Sequence, residues 1–133
     1  MPDYSKHTKK LLREFMIEAY ERELHRELAR LDASFAEWRA GRISNGELSH
    51  RIHEYETGSS RELFQKYNNN PHALSVAYAI VAGILKQDEV PAELLEAISG
   101  PLSFCQSLKA DGELREPEFS PNVNLRAERS KDA

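Results

Sequence analysis

The sequence predicts an all-α fold, a compact bundle of five or six helices around one long N-terminal helix, with an extended tail after residue 110. Three observations predict it. A helical apolar period runs from Tyr4 to Ala40, and no Gly or Pro interrupts the stretch from Asp3 to Ala40. Two S-x-x-E helix starts follow, at Ser44 and Ser59. The segment from His72 to Lys86 is apolar on nearly every side, which marks a buried helix.

The first helix is resolved by angle. With Leu24 at zero and about 100° per residue, Ile17, Tyr20, Leu28, Leu31, Phe35 and Trp38 all fall within about 40° of it. From Leu24 the spacing is 4, 3, 4, 3, the seam of a coiled coil or helical hairpin. The pairs Glu18–Arg22, Glu23–Arg26 and Glu27–Arg30 stand at helix-neighbour spacing and support the helix locally. Leu11, Leu12, Phe15 and Ala19 lie between about 120° and 180° away, so the N-terminal half is apolar on two faces. One face is expected to join the chain's own core and the other to meet a partner.

Gly41 ends this helix. A short helix is expected from the Ser44 cap to about Glu56, with Leu48, Ile52 and Tyr55 inward, before a break at Thr57-Gly58. A third short helix starts at the second capping box and carries Leu63, Phe64 and Tyr67. Asn68-Asn69-Asn70-Pro71 is a turn, with Asn70 as cap and Pro71 at the first helical position. In the fourth helix Ser75, Ala79, Ala82 and Gly83 form a small-residue stripe. A fifth helix opens at Val90-Pro91, runs through Leu94, Leu95 and Ile98, and closes at Gly100-Pro101. Beyond Pro101 the period weakens to one more short turn around Leu102, Phe104 and Leu108. From Asp111 onward there is none, so residues 1–110 form one helical domain and 111–133 an extended or disordered tail.

Composition narrows the function class. The chain has 133 residues, 40% hydrophobic and 30% charged, which suits helices with one apolar stripe and a charged outer face. Its 18 basic and 22 acidic side chains leave a net charge of −4. A general nucleic-acid binder carries a basic surplus instead, so nucleic acid is not the expected partner. Cys105 is the single cysteine, reads as a small buried hydrophobe, and can form no internal disulfide. No run is long and apolar enough to span a bilayer, and the N-terminal residues, with no uninterrupted apolar stretch, are not expected to be a secretory signal; the expected location is the cytoplasm.

No catalytic motif stands in the sequence, and no cofactor is implied. Four features carry weaker chemical signals. Glu47, His50, His53 and Glu54 combine an E-x-x-H with an i, i+4 pair, as in carboxylate-bridged metal centres. All four lie more than about 100° from their helix's inner face, so a solvated surface is the better account. Ser59, Ser60 and Arg61 at a helix N-terminus could hold a phosphate or carboxylate, although capping alone explains the serines. Arg22, Arg26 and Arg30 form a ridge on the outer face which, with Lys6, Lys9, Lys10 and Arg13, could dock an anionic partner such as nucleic acid, although Glu23 and Glu27 alternate with it and a solvated mixed face is the better account. Glu116-Pro117-Glu118-Phe119-Ser120-Pro121 is an acidic, aromatic, Pro-bracketed stretch of the kind that docks in a partner's groove.

The reading that joins these observations is a non-enzymatic protein–protein interaction module, a small regulator, adaptor or assembly factor. It is expected to dimerise through the long helix and to engage a second protein. A small helical metal-dependent enzyme or metal sensor is the alternative, and a nucleic-acid-associated regulator the third.

Overall fold

The computed structural model describes residues 3–114. It is 80% helical, and no strand occurs among the described residues. Helix α1 spans Lys6–Arg39, about 50 Å at 1.5 Å per residue. Ser5 caps it, its hydroxyl oxygen accepting the Thr8 N–H at 3.1 Å. Gly41 ends it with φ +75, a left-handed conformation that glycine adopts without a Cβ penalty.

Helix α2, Asn45–Glu54, begins at the expected Ser44 cap, which accepts the Glu47 N–H at 3.0 Å. The expected break at Thr57-Gly58 does not occur. Tyr55–Ser60 forms a π-helical turn that runs directly into α3, Arg61–Asn69, so residues 45–69 are one rod beside α1. Its local cause is visible in the sequence. The Thr57 hydroxyl donates back to the His53 carbonyl at 2.8 Å, and Gly58, Ser59 and Ser60 are weak helix formers. They loosen the helix without ending it. Leu48, Leu63 and Tyr67 are buried from this rod, as expected, whereas Ile52 and Phe64 are exposed.

Asn70 is extended, as a residue before proline should be, and its side chain donates back to the Lys66 carbonyl at 2.9 Å. It therefore closes α3 rather than capping the next helix; Pro71 takes that cap position. Helix α4, His72–Val81, stops five residues short of the expected Lys86. Gly83, read from sequence as part of a packing stripe, is its terminator at φ +84. The Ile84 N–H reaches the Ala79 carbonyl at 2.8 Å and the Gly83 N–H reaches Ile80 at 3.2 Å, a Schellman motif. Ile84 and Leu85 fold back into the core as a result.

A 3₁₀ turn at Gln87–Glu89 leads to α5, Ala92–Ala97, and at once to α6, Ser99–Ala110. The single weak turn expected after Pro101 is thus a 12-residue helix. Gly100 and Pro101 lie in its first turn, where a missing N–H leaves no intrahelical bond unmade. The core joins Leu12, Met16 and Ala19 of α1 to Tyr67, Val76, Leu94, Ile98 and Cys105. Burial raises the Cys105 thiol pKa, consistent with a structural cysteine. Leu114 is also buried, so the described chain ends in contact with the core. The docking stretch Glu116–Pro121 and most of the expected tail lie outside the described residues.

One side chain ties the α4–α5 connection to α1. Arg22 donates to both Glu89 carboxylate oxygens, at 2.6 and 3.0 Å, to the Ile84 carbonyl at 2.9 Å, and to Glu18 at 2.9 Å. Its guanidinium holds the Glu89 carboxyl below the ordinary value of 4.5. A depressed folded-state pKa contributes stability above the unfolded value and loses it as pH falls through the folded one. The stability advantage of the wild type over Glu89→Gln should therefore be full at pH 6 and shrink on acidification below 4.5. Thermal melts of both proteins between pH 6 and pH 3 measure it.

Candidate functional site

The buried face of α1 is not the seam. It is the stripe Leu12, Met16, Ala19, Glu23, Glu27 and Ser34, centred about 100° around the helix from Leu24. Two glutamates therefore point inward, Glu23 at 1% exposure and Glu27 at 6%. A buried carboxylate is tolerated only when paired and hydrogen-bonded. The Lys66 ammonium donates to Glu23 at 2.9 and 3.1 Å, and the Tyr67 hydroxyl donates to the same carboxylate. Burial, then the Glu23 charge, pushes the Tyr67 phenol far above its ordinary range, so it stays a donor.

One turn further along α1, a polar cleft of about 470 Å³ opens between α1 and the π turn. Glu27, Arg30 and Ser34 face Arg51, Tyr55 and Ser59 across it. Arg30 approaches Glu27 at 3.6 Å. Arg51 donates to the Ser34 hydroxyl at 3.2 Å, to Glu37 at 3.0 Å and to Glu47 at 3.1 Å. The Glu47 and Glu37 carboxylates raise the Arg51 pKa. These charges pair with one another across the two helices, which fixes the rod's register on α1.

The sequence-derived candidates distribute as follows. Leu12 and Ala19 are core residues, with Leu11 and Phe15 half-buried beside them, so the second apolar face of α1 packs on its own chain. Tyr20 and Leu24 also pack against the core from the near edge of the seam. Leu31 and Phe35 are half-buried outside it, while Ile17, Leu28 and Trp38 are exposed at 45%, 47% and 40%. The seam is thus open at Ile17 and Leu28 along its far edge and at Trp38 near the end of the helix. The Trp38 indole N–H donates to Asn45 at 2.7 Å and its ring meets Phe35 edge-on.

The helix start expected at Ser59 and Ser60 is corrected. Ser60 has helical angles and caps nothing, because the backbone runs on unbroken through the π turn and leaves no helix N-terminus there. Ser59 turns toward the cleft, while Arg61 is exposed. The arginine ridge is corrected too: Arg22 and Arg26 are half-buried, and Arg22 is engaged with Glu89. Glu47, His50, His53 and Glu54 are all exposed; His50 meets Glu54 at 3.0 Å and Glu47 meets Arg51. Among the described residues, no group of three or more His, Cys, Asp or Glu side chains is placed to share a metal ion. Nor is any described helix long and apolar enough to cross a membrane.

Lys66 and Arg51 were not singled out by sequence reasoning, which read Glu23 only as a surface partner of Arg26 and Tyr67 only as an apolar contact. The signal for Glu23 was present, since the Leu12–Met16–Ala19 face continues directly to Glu23 and Glu27 at the same helical spacing. Comparison with protein families, curated proteins and solved structures finds no match to this chain, so its geometry alone supports a functional reading.

Proposed function

We propose that this protein is a non-enzymatic interaction module of the cytoplasm, a small regulator, adaptor or assembly factor, which dimerises through the seam of α1. The observation that carries this reading is the exposure of Ile17, Leu28 and Trp38 along a coiled-coil period. A seam of that spacing is built to receive another helix. The chain's own rod covers only one side of it.

The charges beside the open edge favour a second copy in antiparallel orientation. Glu18, His25, Asp32 and Arg39 are all exposed and recur every seven residues on that edge. Reversed, the series sets Glu18 against Arg39 and His25 against Asp32, and two-fold symmetry repeats both pairs. A parallel pairing would instead place the two copies of this edge on opposite sides of the interface, where these residues do not meet one another. Arg39→Glu is expected to weaken self-association about tenfold, from two lost surface pairs. Glu18→Arg combined with Arg39→Glu is expected to restore it. Sedimentation equilibrium of the three proteins tests this, and a double variant no better than the single one refutes antiparallel pairing.

A further inference from the structure

We propose that the chain's own segment 119–125 docks in an apolar groove between α3, α4 and α6. The groove holds about 480 Å³. Leu74 and Tyr78 of α4 stand one helical turn apart, as do Phe104 and Leu108 of α6, and these two apolar ridges line it. Phe104 is 56% exposed on a helix whose other face is core. Its ring is therefore open to a further apolar contact.

The fold delivers the chain to this groove. Helix α6 closes at Gly112, φ +73, where the Gly112 N–H reaches the Lys109 carbonyl at 3.1 Å and the Glu113 N–H the Leu108 carbonyl at 2.8 Å. That reversal turns the chain back along α6 and seats Leu114, 8% exposed, in the groove wall. The sequence beyond it has no helical period, but Phe119, Pro121, Val123 and Leu125 occupy every second position, with Ser120, Asn122 and Asn124 between them. Such alternation gives an extended segment one apolar edge and one polar edge. Pro121 suits this use, because an edge laid in a groove needs no ladder N–H. Phe119 follows Leu114 by five residues, within about 17 Å of extended chain. A segment tethered so closely is presented at about millimolar effective concentration, which favours it over a free partner.

NMR and proteolysis of the full chain test the proposal. In uniformly ¹³C-labelled wild type, NOEs are expected from the Phe119 ring to the methyl groups of Leu74 and Leu108. Isotope-filtered spectra of an equimolar mixture of labelled and unlabelled chains should lack them. Their presence there would put a second copy's segment in the groove and overturn the proposal. Phe119→Ser changes no residue of the described core, so the variant should fold as the wild type does. Trypsin cleavage after Arg126 should be about tenfold faster in this variant, because the docked segment loses its largest apolar contact. Absence of the Phe119 NOEs from the wild type, or equal cleavage of the two proteins, likewise overturns it.

Discussion

Lys66→Met is expected to lower the free energy of unfolding by about 3–5 kcal/mol, more than any surface substitution in this protein. The size follows from Glu23, whose carboxylate is 1% exposed and receives the Lys66 ammonium at 2.9 Å. Removing the lysine leaves Tyr67 as the remaining donor to a buried charge. The cost lies in that stranded charge, not in the lost attraction, so Glu23→Met with Lys66→Met should recover most of it. Urea titrations of the two single variants and the double variant separate the terms. A double variant as unstable as Lys66→Met alone would show that the loss is packing rather than charge.

This network explains why the fold was legible in the sequence while its central contact was not. The long helix was readable because thirty-odd residues repeat one period with no breaker. The Ser44 cap and the buried fourth helix were equally local in origin. The buried face of α1 was harder to assign, because it begins with Leu12, Met16 and Ala19 and ends with Glu23 and Glu27. Charged residues score as surface on any hydropathy pattern, and only the partners from α3, more than forty residues away, make burial affordable. Gly58 and Pro101 misled for the opposite reason. Each is a breaker by propensity, yet the first sits in a π turn and the second in a helix's first turn, where neither ends a helix. The same π turn leaves no helix start at Ser59 and Ser60, which stay within a continuous helical backbone.

The seam carries the second large effect. Leu28→Glu with Ile17→Glu should abolish self-association, since it places four charges at a two-fold apolar contact where none is paired. Both residues are nearly half exposed in the protomer, so the double variant should keep its helicity and unfold cooperatively. Leu24 and Tyr20 would serve less well, because they also pack on the core and their loss would confuse dissociation with unfolding.

Sedimentation velocity at tens of micromolar chain concentration tests the central claim most directly. The wild type should sediment at twice the 15.2 kDa chain mass, and the Ile17→Glu, Leu28→Glu variant as a folded monomer. A wild type that sediments as a monomer, or a variant that remains dimeric while folded, would contradict dimerisation through the α1 seam.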